Sequence, residues 1–238
     1  MMGRLLEEIS WEGGRVKQYR KGGQGMENVL SAQVLQALDH LPRDRFLGAV
    51  LRDAHGATSA RMRVAEEAEV LELTFLPDEV LLTCHDAKVQ PDATLTGPSS
   101  YCLVEAKGPG RSRFNTLQLS REYLALLEQA GERTPLMLLV LGAPPPVRLA
   151  GGGVHNPVDV IARELGQLAP VVLDARNEAA LVARVPEVLA WTTWREIADV
   201  VMRQVKSIDT SDRSVASAIG RVASSLVRAV DWHSSARP

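Results

Sequence analysis

Two acids and a lysine, Asp92, Glu105 and Lys107, stand close together in the stretch "QPDATLTGPSSYCLVEAKGPG". Around them the chain reads as two short strands, with Gly97-Pro98-Ser99-Ser100 as the turn between. Side chains at i and i+2 of a strand share a face. Glu105 and Lys107 are therefore expected to project together, and Cys102, Val104 and Ala106 to project the other way. Asp92 lies 13 residues before Glu105, and a hairpin-like return brings it alongside. Two carboxylates with one lysine as counter-charge make a poor structural cluster. They make a good oxygen-ligand site for Mg²⁺ or Mn²⁺, which prefer carboxylates and keep several waters. The carbonyl of Ala106 is placed to serve as a further ligand. Lys107 can orient or deprotonate an attacking water, or stabilise charge developing on a phosphorane. The chemistry this suits is hydrolysis of a phosphodiester.

The elements that must position these residues can be read outward from them. A helix is signalled from Met26, with Leu30, Val34, Leu38 and Leu41 forming its apolar stripe and Pro42 stopping it. Three strand-like segments follow: "AEVLELTFL", "EVLLTCHDAKVQPDATL" and "YCLVEAK". "SRFNTLQLSREYLALLEQAG" predicts a helix of about five turns, with Gly131 as its C-terminal cap. "TPLMLLVLGA" is apolar from Leu136 to Leu141, as a strand covered on both faces should be. "APPPVRLAGGG" reads as a loop. "NPVDVIARELGQL" reads as a helix with Asn156 as N-cap and Pro157 first, and "PVVLDA" as a second fully apolar strand. This order predicts an α/β fold, a mixed β-sheet flanked by helices on both faces. From Pro186 onward the tail reads as helical. Thr193 and Glu196 are spaced as a capping box, and Arg213, Arg221 and Arg228 recur along the last helix as a polar face. The divisions expected are a lead-in over 1–25, an α/β domain over 26–185 and a helical C-terminal extension over 186–238.

Composition limits what the site can serve. A chain of 238 residues can bury a substantial core as one large domain. A net charge of −2 argues against a partner held by bulk electrostatics, so a nucleic acid must be met by a local basic patch. Cys84 and Cys102 sit in apolar, strand-like context without metal spacing, which fits buried thiols in a reducing compartment. The acidic start "MMGRLLEEISWEGG" has no signal-peptide core, and "PLMLLVLGAPPPV" is too short to cross a bilayer. The expectation is a cytoplasmic protein without a membrane partner.

Pro91-Asp92 followed by Glu105-Ala106-Lys107 resembles the signature of the PD-(D/E)XK nuclease superfamily, which includes restriction endonucleases and repair nucleases. The resemblance implies a restriction-endonuclease-like core, αβββαβ, which matches the order read independently from Met26 to Leu141. Many members carry a metal-holding acid on the first helix. Glu27 occupies that place, 3 residues before Leu30 and so on the apolar stripe. Some members place a glutamine and then a tyrosine on the helix after the lysine strand. Gln118 and Tyr123 are 5 apart where the family has 4, so only Gln118 is carried over. The implied set is Asp92, Glu105, Lys107, Glu27 and Gln118, with Asp92, Glu105, Glu27 and the Ala106 carbonyl on Mg²⁺ or Mn²⁺.

Lys88, Arg111, Arg113 and Arg121 cluster around this set and suit phosphate contacts on a cleft rim, with an ordinary solvated loop as the bland alternative. Asp78, in "LPDE", belongs to a turn, and Glu69 and Glu72 to the solvent side of a strand. The glycines of "KGGQG" lack the strand and Lys-Ser/Thr of a phosphate loop. His40, His55, His85, His155 and His233 have no metal-ligand spacing; His85 alone is near the site. Trp191 and Trp194 are expected to anchor the C-terminal helices. The function expected is a Mg²⁺-dependent deoxyribonuclease, an endonuclease acting as a homodimer or with a protein partner that supplies specificity, in defence or repair. Two alternatives stay open: RNA as the substrate, and a non-catalytic subunit that positions nucleic acid in a larger assembly.

Overall fold

The computed structural model describes residues 24–82, 87–109, 113–172 and 175–235, without the side chains of 24–27 and 168–177. It opens with α1 (Gln24–His40), where Leu30, Val34, Leu38 and Leu41 are all buried, as their spacing predicts. Two helices that the sequence reading left unassigned follow, α2 (Leu47–Asp53) and α3 (Thr58–Glu66), with the short strand β1 (His55–Gly56) between them. Next come β2 (Glu72–Phe75), β3 (Val80–Leu81), β4 (Lys88–Val89), β5 (Ala93–Thr96) and β6 (Ser100–Ala106). The helix α4 (Gln118–Ala130) and strand β7 (Thr134–Leu141) complete the helix, three-strand, helix, strand order, with the β3–β4 hairpin inserted. The rest is β8 (Val147–Arg148), β9 (Val154–His155), α5 (Pro157–Val172), α6 (Ala175–Val188), β10 (Leu189–Thr193), α7 (Trp194–Lys206) and α8 (Arg213–Ser234).

Six strands form one mixed sheet in the order β1-β10-β7-β6-β5-β2. β10, β7 and β6 run parallel, while β5 and β2 return antiparallel beyond β6 and β1 closes the opposite edge antiparallel. The even residues Cys102, Val104 and Ala106 of β6 face a core built with α1, α2, α3, α7 and α8. Tyr101 and Leu103 face a second core, built with α4, α5 and α6. Alternation along one strand thus sends its residues into two separate helical layers.

Several expectations need correction. "EVLLTCHDAKVQPDATL" is not one strand: β3 and β4 pair with each other outside the main sheet, and only β5 joins it. Glu69 lies in the turn before β2, where its carboxylate accepts from the Asp44 amide at 3.0 Å; Glu72 is on the strand and exposed. "PVVLDA" is not a strand, because α5 runs through to Val172 and α6 resumes at Ala175. A short apolar run looks alike in a buried strand and a helix, and length and continuity decide it. The second parallel partner of β7 is instead β10, inside the tail expected to be all helical, and Pro186 lies within α6. The loop "APPPVRLAGGG" contains β8, paired to β9. The predicted caps are present. Asn156 Oδ1 accepts from the Val158 amide at 3.0 Å, Thr193 and Glu196 form the capping box, and Gly131 ends α4 at φ +57°. Cys102 is buried; Cys84 and His85 lie outside the described residues. Among those residues no helix is long and apolar enough to cross a membrane.

Candidate active site

The register of the sheet brings the two acids together. Ala93 pairs with Val104, so the next rung sets Asp92 opposite Glu105, on the face that looks toward α4. Asp92 Oδ2 accepts from the Ala106 amide at 2.7 Å, which ties the start of β5 to the end of β6. Lys107 follows β6 directly. Its amide extends the ladder to the Val140 carbonyl at 2.8 Å, and its own carbonyl accepts from the indole of Trp194 at 2.8 Å. Glu105 and Lys107 do project together: Nζ donates to Glu105 Oε1 at 2.7 Å, with the two side chains only 4% and 14% exposed.

Gln118, the first residue of α4, completes the arrangement. Its Nε2 donates to Glu105 Oε1 at 2.6 Å and to Glu122 Oε1 at 2.8 Å, and its Oε1 accepts from the Asn115 amide at 3.1 Å. The start of α4 is itself held by a buried acid. Glu164 of α5 accepts from the Leu117 amide and from Ser120 Oγ, both at 3.0 Å. Leu117 adopts the left-handed conformation, φ +62°, which turns the chain into the helix. Phe114, inside the segment predicted as helix, lies before α4; it bridges to Leu149 and sets its ring 5.1 Å from Lys107 Nζ.

Glu122 is the residue that sequence reasoning missed. It sits one helical turn beyond Gln118 and is buried, with Oε2 making no hydrogen bond among the described residues. Its signal was available, since it occupies the position 4 after Gln118 where the family resemblance sought a tyrosine. Tyr123 turns away, fully buried, with its hydroxyl donating to the Leu181 carbonyl at 2.8 Å.

Burial alone would push the Lys107 ammonium down, but Glu105, with Asp92 and Glu122 nearby, holds it well above the ordinary lysine value. Glu122 goes the other way. Burial and then the neighbouring Glu105 push its carboxyl well above the usual carboxylate range, against the bond from Gln118. A lysine that stays an ammonium is a donor rather than a base.

The other expected residues stand outside these hydrogen bonds or outside the described residues. Glu27 lies in the first turn of α1, the helix that packs on the opposite face of the sheet, and its side chain is outside the described residues. Arg113 is exposed; Arg121 is half-buried on α4, with Nε buried and unbonded among the described residues. Lys88 is exposed on β4 and pairs with Glu79 at 2.8 Å. Arg111 lies outside the described residues. Trp194 is buried as expected, whereas Trp191 is a half-buried strand residue stacked on His55 at 4.0 Å.

The donor set fits a hard divalent cation. Asp92, Glu105 and Glu122 offer carboxylate oxygens on the α4 side of the β5–β6 ends, and Glu122 Oε2 is buried with no hydrogen bond among the described residues. Among the described residues no three His, Cys, Asp or Glu side chains already stand as a metal-binding group, since Asp92 is turned onto the Ala106 amide and Glu105 onto Lys107. Comparison with family models, with curated proteins and with solved structures finds no match to this chain.

Proposed function

We propose that this chain is a divalent-metal-dependent nuclease of the PD-(D/E)XK kind that hydrolyses phosphodiester bonds of DNA. One observation carries the reading. Asp92, Glu105 and Lys107 share one face at the ends of β5 and β6, and Gln118 of α4 bonds the same Glu105 oxygen that Lys107 does. Asp92 and Glu105, with the Ala106 carbonyl, would hold Mg²⁺ or Mn²⁺. Bound there, the cation supplies positive charge that offsets and polarises the scissile phosphate. Lys107 would orient the attacking water or stabilise the oxygen on which charge develops. Gln118 holds Glu105 in position from above. Arg113, Arg121 and Lys88 would supply phosphate contacts.

A second reading has its own observation. Glu105, Lys107 and Gln118 already satisfy one another, as they would in a nuclease-fold subunit that only positions nucleic acid. Covalently closed circular DNA, single- and double-stranded, incubated with the full chain and Mg²⁺, Mn²⁺ or EDTA, separates the two. Metal-dependent cutting of circles, which have no ends, supports the endonuclease. No cutting of either form, with no cation binding by calorimetry, supports the non-catalytic subunit. RNA circles run in parallel decide the sugar.

A further inference from the structure

Glu122 is a puzzle as a purely structural residue. It is 2% exposed on the inner face of α4, among the apolar residues Leu119, Tyr123 and Leu126 that pack on the sheet. One of its oxygens accepts from Gln118 Nε2, and the other has no hydrogen-bond partner among the described residues. If its task were only to hold Gln118, a single acceptor would suffice and an amide side chain would supply it. The second oxygen would then be a buried polar atom left unsatisfied, which costs free energy and is rare without a reason. The surroundings supply one. Glu122 and Glu105 accept from the same nitrogen, and Glu122 is close enough to Glu105, Lys107 and Asp92 to interact with all three charges. Three acids thus stand around one lysine, and their oxygens are the hard ligands a divalent cation takes.

We propose that Glu122 is a further acid of the site, supplying Oε2 to the divalent cation beside Asp92 and Glu105. The inference rests on the metal-dependent reading above and makes α4 a second source of ligands, alongside the β5–β6 strand ends. Gln118, bonded to both glutamates, then sets the separation between the two carboxylates.

The test is Mn²⁺ affinity, measured on the full chain by calorimetry and by electron paramagnetic resonance, for wild type, Glu122→Gln and Glu122→Asp. Glutamine keeps an oxygen acceptor for Gln118 and puts an amide NH2, which cannot ligate, in place of the second oxygen, so Glu122→Gln should melt in EDTA at or above the wild-type temperature. It should bind Mn²⁺ at least about tenfold more weakly, since losing a ligating carboxylate costs no less than losing an outer partner of a ligand. Aspartate keeps the charge but draws the carboxylate back by one methylene, and should fall between the two. Equal Mn²⁺ affinity in wild type and Glu122→Gln overturns the inference and leaves the nuclease reading standing. A wild-type chain that binds no Mn²⁺ overturns both. Should Glu122→Gln fail to fold, the aspartate variant decides, and wild-type affinity in it contradicts direct ligation.

Discussion

Glu105 and Lys107 are both buried and paired at 2.7 Å, with Gln118 as a second donor to Glu105. Breaking such a pair by removing one partner leaves an uncompensated buried charge, typically at a cost of about 3–5 kcal/mol. Lys107→Ala is thus expected to lose stability of that order in urea unfolding with EDTA present, as well as losing activity. Adding Glu105→Gln should restore most of it; a double variant as unstable as the single would show that the pair is not what matters. Glu122 yields a pH prediction of opposite sense. Its folded-state value is raised, so the folded protein binds more protons than the unfolded chain once the pH exceeds the ordinary carboxyl value of 4.5. Stability contributed by the neutral form is then present below that pH and lost as the pH rises toward the folded-state value. Glu122→Gln in EDTA should therefore melt above wild type at neutral pH, with the gap closing as the pH falls to about 4.5. A gap that stays constant with pH would mean that Glu122 is not the group responsible.

At the scale of elements, the site depends on how closely the ends of β6 and β7 approach. A Cβ added at Gly142, just beyond β7, would lie 2.7 Å from the Gly108 carbonyl oxygen and 2.7 Å from Pro109 Cα, nearer than real Cβ contacts come. Gly142→Ala must displace the segment that follows Lys107. The expected result is a loss of about 1–3 kcal/mol from overpacking and a fall in cleavage of about a hundredfold if the shift reaches Lys107. Unchanged activity would show that the two strand ends are independent. The Trp194 indole ties α7 to the same residue through the Lys107 carbonyl. The junction of β10 and α7 therefore braces the lysine from the other helical layer.

At the scale of the molecule, the C-terminal helices are part of the core. Ala223, Leu226 and Val230 of α8 are buried in the same cluster as Leu30 and Val34 of α1, the helix that carries Glu27. Leu226→Ala should accordingly cost about 2–5 kcal/mol in chemical denaturation, where a loosely appended tail would give almost nothing. What the sequence made legible follows from which physics is local. The α1 stripe, the Asn156 and Thr193 caps, the Gly131 terminus and the buried strand β7 each announce themselves within a few residues. The i, i+2 rule placed Glu105 and Lys107 on one face, and the turn at 97–100 returned Asp92 to them. The strand β10 was hidden because "LAWTT" is short and flanked by helices, and its partner β7 lies about 50 residues away. Glu122, although it stands 4 after Gln118, was passed over because an acid on a helix reads as solvated until the sheet packed beneath it is known. Net charge, at −2, places any DNA contact in local arginines, so weak binding should fall steeply with salt only as far as those few contacts allow.

The central claim is that Glu105, held by Lys107 and Gln118, is the acid on which metal-dependent cleavage turns. The most direct measurement is nicking of covalently closed circular double-stranded DNA in Mg²⁺ by wild type and Glu105→Gln, each confirmed folded by its melting curve. The account predicts nicking by wild type that EDTA abolishes, and none by a folded Glu105→Gln. Nicking by that variant at the wild-type rate would contradict it.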